Sequence, residues 1–195
     1  CKSYIKKKTN LNIMSGIDIM LIQLDGLETK YNEFKNLTYP DMLPINNENI
    51  IQAVAASQYL SNKKYDPIEL WDVSNVTNMN RLFHYNQVFN ADIGGWDVSS
   101  VTNMDSMFFY CYDFNKDIGG WDVRNVTNMY AMFFNCNKFN KDIGDWDVSN
   151  VTNMSKMFSN CKTFNQDITR WNTSKVKIRM EMFQKCPISE EYKCK

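Results

Sequence analysis

The sequence predicts an α/β solenoid, a right-handed stack of 25-residue coils with short parallel strands, short helical turns and a helical N-terminal cap. All five tryptophans of the 195-residue chain lie 25 residues apart, at Trp71, Trp96, Trp121, Trp146 and Trp171. The text between them also repeats, as W-D-V-S-x-V-T-N-M followed by (M/L)-F, F-N and D-I-G. A unit this short buries its apolar edge only by stacking on a neighbour, and parallel crossovers are right-handed.

The repeat sets the domain boundaries. Four full units are 71–95, 96–120, 121–145 and 146–170, and a partial fifth unit is 171–188. Residues 189–195 form a C-terminal tail, 45–70 are predicted to be the helical N-terminal cap, and 1–44 are a leader of unknown structure. In the cap, Asn46 or Asn47 is placed to cap a helix that reaches about Leu60.

The first unit shows what one coil is expected to contain. Four apolar residues lie at i, i+3, i+6 and i+7, the stripe of a short helical turn: Val76, Met79, Leu82 and Phe83. Residues 89–93 are predicted to be a short strand. Gly94 and Gly95 then predict a sharp turn, since glycine accepts a positive φ.

The motif at 71–79, W-D-V-S-N-V-T-N-M, recurs at 146–154, and F-N-Q-D-I stands at 164–168. In these residues the chain resembles the BspA-like leucine-rich-repeat surface proteins, and especially the 25-residue repeat of Mycoplasma surface lipoproteins that is also common in giant-virus and bacterial proteins. Residues 49–54 and 65–68 resemble the cap that often precedes such arrays. The resemblance implies a solenoid with an interaction role and no defined activity.

One repeat position predicts a structural ladder alongside the tryptophans. It holds Asn86, Cys111, Cys136, Cys161 and Cys186. Stacked coils would space these residues by about 4.8 Å, which is within reach of a disulfide, whereas a metal needs ligands that converge on a point. Because asparagine replaces cysteine once, we expect a small buried group that hydrogen-bonds to the turn backbone.

Two rows of carboxylates also follow the repeat. One row begins with Asp72 after the tryptophan, and the other begins with Asp92 before the isoleucine. Calcium between the coils is one interpretation. We favour the other, in which each aspartate closes its own turn by accepting backbone N–H groups.

Composition argues against several functional classes. Twenty-two basic and 22 acidic residues give no net charge, which argues against nucleic-acid binding. With His84 as the single histidine and no nucleophile–base set, we expect no catalysis, no cofactor and no metal. The longest apolar run, 107–112, is far shorter than the roughly 20 residues of a membrane-spanning helix.

Partner choice must come from positions that vary between coils. After the shared phenylalanine the pairs are His84–Tyr85, Phe109–Tyr110, Phe134–Asn135, Ser159–Asn160 and Gln184–Lys185. The candidate partner-binding residues are therefore His84, Tyr85, Phe109, Tyr110, Tyr112, Tyr130 and Phe134. They form either an exposed aromatic strip, a composition typical of interfaces, or part of the core and cap packing.

These observations predict a non-catalytic module for protein–protein interaction or assembly, displayed on a surface, with another protein as its partner. An alternative is a structural component of a viral particle, such as a minor capsid or virion-associated protein. A remote alternative is a calcium-binding repeat protein. Cys1 would suit a lipid anchor or a truncated chain equally well, so a cell surface, a virion and an intracellular compartment all remain open.

Overall fold

The computed structural model describes residues 45–59 and 68–194, which belong to the second of two units of the chain, Met42–Lys195. Within these ranges the helical elements are one α-helix, α1 (Ile50–Tyr59), and two 3-10 turns at Ile68–Leu70 and Glu190–Tyr192. The predicted leader, 1–44, and part of the predicted cap, 60–67, lie outside the described residues.

Helix α1 begins after a turn held by Asn46. The backbone carbonyl of Asn46 accepts the N–H of Ile50 at 3.0 Å, and its side-chain oxygen accepts the N–H of Glu48 at 2.8 Å. These bonds satisfy amides that have no partner inside the helix.

The side chain of Asn47 binds the first coil instead of the helix. Its Oδ1 accepts the N–H groups of Thr77 and Asn78 at 2.9 and 3.0 Å. Ile50 and Val54 on α1 are buried in the same core as the coils. The helix therefore packs on the first coil through apolar side chains and through one asparagine.

Each coil is a succession of tight turns. We number positions in a coil from its tryptophan as position 1. In the first coil, i→i+3 hydrogen bonds join the N–H of Leu82 to Met79, of His84 to Arg81 and of Asn86 to Phe83. Positions 11 and 15 have positive φ in every coil, and none of them is glycine: Arg81, Tyr85, Ser106, Tyr110, Ala131, Asn135, Lys156, Asn160, Glu181 and Lys185.

The backbone from position 8 to position 15, here named the ladder wall, links neighbouring coils. The N–H groups of positions 9, 11, 13 and 15 donate to carbonyls of positions 8, 10, 12 and 14 in the next coil, as in Phe83 to Met107 at 2.9 Å. Between them, amides such as that of Leu82 close turns within their own coil. The four donors recur at all four junctions, so stacking satisfies half of the amides in this wall.

The predicted α/β solenoid is wrong. Within residues 45–59 and 68–194, strand-like pairing is limited to four isolated parallel bridges, and 89–93 is not a strand: Asn78–Asn103, Asn103–Asn128, Asn128–Asn153 and Asn153–Ile178. No helical turn occupies 76–83 either, because the left-handed residue at position 11 interrupts a helix. Apolar spacing of i, i+3 and i+4 fits consecutive i→i+3 turns as well as it fits a helix.

The core consists of rows that run from coil to coil. Phenylalanines at position 13 stack with ring centroids 5.5 Å apart from Phe83 to Phe108 and from Phe108 to Phe133. The indole N–H of Trp121 donates to the carbonyl of Ile93 at 3.1 Å. Each coil therefore covers the apolar edge of the one before it, as a repeat of this length requires.

The predicted turn at Gly94 and Gly95 is present, but its glycines serve close approach and not the positive φ that was expected of them. None of the described glycines has a positive φ. A Cβ on Gly94 would lie 2.4 Å from the carbonyl oxygen of Asp117 in the next coil, whereas a Cβ on Gly95 would meet nothing within 4 Å. Gly94 is required by contact with a neighbouring backbone.

Candidate interaction surface

Aromatic side chains at positions 14 and 15 form two stacked rows. His84 lies 4.7 Å from Phe109, and Phe109 lies 4.8 Å from Phe134, with ring planes within about 12° of parallel. In the second row the rings of Tyr85 and Tyr110 are 5.0 Å apart. Together with Tyr112, whose ring is 5.7 Å from Tyr110, these six residues are named the aromatic strip.

The turn geometry explains why the strip lies on the surface. Tyr85 and Tyr110 have φ values of 62° and 61°, in the left-handed region that only a minority of residues other than glycine adopt. Their N–H groups are directed to the next coil along the ladder wall. The left-handed conformation disfavours bulky residues. At these two tyrosines the hydrogen bonds between coils nevertheless hold the backbone in it.

The strip is half-buried by its own stacking. Tyr85 is 56% exposed, and the other five rings are partly exposed. Rings stacked face to face present mainly their edges and the tyrosine hydroxyls to solvent. Such a surface offers apolar area together with hydrogen-bonding groups, the combination that favours tyrosine at protein interfaces.

His84 is kept in its neutral form. Burial against the neighbouring rings lowers the pKa of His84, and the positive charge of Arg81 lowers this pKa further, while Asp105 acts in the opposite direction. At pH 7 the strip therefore carries no charge of its own.

The remaining candidate, Tyr130, is not part of the aromatic strip. Tyr130 lies at position 10 and is partly exposed, with no ring contact to the other candidates in the described part of the chain. In the fourth coil Ser159 is fully buried and Asn160 is partly exposed, so the aromatic surface ends at Phe134.

The structure places the cysteines inside the stack. The thiols of Cys111, Cys136 and Cys161 are free, and each donates to a phenylalanine carbonyl 28 residues earlier at 2.9 Å. Burial raises the pKa of all three thiols well above the ordinary value. Cys186, half-buried, departs from the pattern and contacts the carbonyl of Phe164 at 3.5 Å.

The carboxylates act within their own turns. Asp72, Asp97 and Asp147 each accept the backbone N–H of the serine two residues on, and Asp92 accepts that of Gly94. Hydrogen bonds from the serine hydroxyl and amide lower the pKa of Asp147. No group of three or more potential metal ligands occurs within residues 45–59 and 68–194.

Sequence reasoning missed a second inter-coil row, formed by the asparagine after the second phenylalanine. The side-chain oxygen of Asn90 accepts the N–H of Asn115, and that of Asn115 accepts the N–H of Asn140, both at 3.0 Å. The repeated F-N dipeptide was the signal. The asparagine at this position binds the backbone of the neighbouring coil.

The comparisons with known proteins agree with the repeat. Residues 49–144 and 120–191 match the family described as Mycoplasma protein of unknown function, DUF285. No curated protein and no solved structure matches the chain. Among the helices of the described residues, none has the length and apolar character needed to span a bilayer.

Proposed function

We propose that this chain, which belongs to the DUF285 family of Mycoplasma proteins of unknown function, is a non-catalytic protein-interaction module whose aromatic strip binds another protein. The observation that carries the proposal is the continuous ring stack from His84 to Phe134 on the surface of the first three coils. Clustered exposed aromatics of this kind most often anchor interfaces.

The fourth coil, which lacks aromatic residues at positions 14 and 15, supports the assignment of the strip as a binding surface. Positions shared by all coils are used in packing, so they cannot distinguish one partner from another. At positions 14 and 15 the fourth coil has serine and asparagine and keeps the same backbone conformation, with φ of 60° at Asn160 and 61° at Tyr110. The fold therefore does not require aromatic residues at these positions, and their presence in the second coil needs another explanation.

The test replaces the residues at positions 14 and 15 of the second coil by those of the fourth coil. Replacing Phe109→Ser and Tyr110→Asn gives the second coil the pair that the fourth coil already has. We expect the variant to fold and to lose about 2 kcal/mol or more of binding free energy, as hot-spot aromatics do. Binding is measured by calorimetry with the partner identified through a photo-cross-linker placed at Tyr112 in the native cell.

The matched control is Asn160→Ala, the same position in the fourth coil, which should leave affinity unchanged. Retained affinity in the folded double variant would place the binding face elsewhere. Unfolding of the double variant, with full affinity in the fraction that remains folded, would make the strip part of the core.

We further propose display on a surface, which the resemblance to BspA-like surface proteins supports. A structural role in a viral particle is the competing setting, and the buried free thiols favour it because reduced cysteines persist in reducing compartments. Labelling of intact source cells with a membrane-impermeant amine reagent separates the two. Labelling of the chain supports display, and its stoichiometric presence in purified particles supports the structural role.

A further inference from the structure

The two ends of the ladder wall carry complementary hydrogen-bonding groups. In the fifth coil the N–H groups of Glu181, Phe183 and Lys185 occupy donor positions, and no residue in the described ranges accepts from them. In the first coil the matching carbonyls of Asn80 and Leu82, with that of His84, accept from no described residue. Unpaired edges of this kind are templates for pairing with another chain.

We propose that a second copy of this chain docks head to tail, with its first coil against the fifth coil of the copy before it. Glu181 N–H would then donate to the carbonyl of Asn80, Phe183 N–H to that of Leu82, and Lys185 N–H to that of His84 of the next copy. This is the register seen at every internal junction, where position 11 donates to position 10, position 13 to 12 and position 15 to 14.

The charges fit the same register. At the junction of the fourth and fifth coils, position 11 of one coil faces position 11 of the next, and Lys156 Nζ lies 3.5 Å from Glu181 Oε2. In the proposed contact Glu181 would face Arg81 of the next copy. Both side chains are exposed.

The charged residues around the two ends of the ladder wall also have opposite net charge. In the sequence of the cap and first coil, 45–95, five acidic residues stand against three basic ones: Glu48, Asp66, Glu69, Asp72 and Asp92 against Lys63, Lys64 and Arg81. Residues 171–194 carry Lys175, Lys177, Arg179, Lys185 and Lys193 against Glu181, Glu190 and Glu191. An acidic end and a basic end attract each other and repel their own kind, which favours head-to-tail contact over a symmetric dimer.

The caps confine the contact to part of the wall. Asn47 already accepts the N–H of Thr77, so that amide is not available to an incoming copy. After the fifth coil the chain folds back, where the carbonyl of Tyr192 accepts the N–H of Ile168 at 2.9 Å and the ammonium of Lys193 lies 5.5 Å from the Phe183 ring. The N–H groups of Glu181, Phe183 and Lys185 still have no acceptor among the described residues. The side chains beside that edge include Met180, which is 71% exposed.

Such a contact uses different surfaces on the two copies, so a dimer still presents one free end of each kind. Heterologous contacts that do not close into a ring continue into open filaments. The proposal does not rest on the aromatic strip's partner, because it uses backbone groups at the ends of the wall, whereas the strip would bind through its side chains.

The test is sedimentation velocity on the full chain over a range of concentrations. Wild-type mass should rise beyond that of a dimer. Arg81→Glu alone and Glu181→Arg alone each place like charges at the contact, and each should weaken association at least about tenfold. An equimolar mixture of the two variants should assemble again, because each end of one variant then meets an opposite charge on the other.

The matched control is Lys116→Glu, the same change of charge in the second coil, which should assemble like the wild type. Amide exchange gives a second measurement that needs no variant. Exchange in peptides that cover 179–185 should slow as concentration rises, and exchange at 104–110 should not. A monomer at every concentration, a dimer that ignores both charge changes, or association without slowed exchange at 179–185 would overturn the proposal.

Discussion

The third and fifth coils have related sequences and differ in how completely they are packed. Phe133 in the third coil is fully buried between Phe108 and Phe158, at 5.5 and 5.6 Å. Phe183, at the same position in the fifth coil, stacks on Phe158 alone, at 5.9 Å, and is only half-buried. Its other side has the ammonium of Lys193, 5.5 Å from the ring centroid.

The cysteines show the same difference. The thiol of Cys136 is 2.9 Å from its carbonyl acceptor, and that of Cys186 is 3.5 Å from a different one. The fifth coil, which no further coil follows in the described part of the chain, therefore lacks contacts that the third coil has. Stability in this protein is a property of neighbouring pairs, as expected for repeat proteins.

The largest expected effect comes from replacing the phenylalanine at position 13 by alanine in the third coil and, separately, in the fifth coil. Phe133→Ala should lower the free energy of unfolding by about 3–5 kcal/mol, because it leaves a cavity between two stacked rings. Phe183→Ala should cost less than half as much, since one of its faces meets no second ring. Urea unfolding followed by tryptophan fluorescence measures both. Equal losses would refute the dependence on neighbours on both sides.

An intermediate effect is expected in thiol reactivity. Cys111, Cys136 and Cys161 are buried with raised pKa values, whereas Cys186 and Cys194 are half-buried. We expect Cys186 and Cys194 to be alkylated at least about tenfold faster than the three central cysteines. Peptide mass after timed alkylation of the native protein gives each rate, and alkylation in denaturant is the control. Rapid native labelling of Cys136 would mean that the central coils open.

The smallest effect concerns a carboxylate that the fifth coil lacks. Asn172 occupies the position of Asp147, and its side-chain oxygen accepts the N–H of Ser174 as Asp147 accepts that of Ser149. Asp147→Asn should therefore fold normally at pH 7 with little change in melting temperature.

The pH dependence of that variant has a defined sign. The pKa of Asp147 is lowered in the folded protein, so its stabilising effect is present above the ordinary value of 3.8 and is lost as pH falls through the folded value. The variant should lose less stability than the wild type on acidification below about pH 4. Parallel pH profiles would show that the serine hydrogen bonds do not favour the charged form.

The sequence was informative wherever a side chain repeats. The period, the inward row that contains Phe108 and Phe133, and the interpretation of Asp72 as a turn residue all rest on residue types whose chemistry is the same in every coil. Stacking of His84 on Phe109 also follows from equal position in successive coils. These features depend on which residues recur and not on the path of the backbone.

The backbone path could not be predicted in the same way. Positions 11 and 15 hold asparagine only twice, at Asn135 and Asn160, and otherwise arginine, serine, alanine, tyrosine, lysine and glutamate, so residue type does not mark the left-handed conformation in most coils. The conformation is imposed by amides that donate to the next coil, as Phe83 does to Met107, and no local pattern encodes a bond to a residue 24 positions away. Tertiary contacts therefore override the helical reading of 76–83.

The ladder wall also gives the molecule an electrical polarity. In an ordinary strand, successive peptide dipoles point in opposite directions and nearly cancel. Here the four ladder-wall amides that cross each junction point from the first coil towards the fifth, so their dipoles of about 3.5 D add as they do in an α-helix, and the amide at position 7, which points back as in Thr102 to Thr77, offsets part of the sum. The positive pole falls at the fifth coil, where the basic residues of 171–194 have the same sign. Within the described residues, the aligned amides and these side chains thus make the fifth coil the end that an anionic surface would attract more strongly.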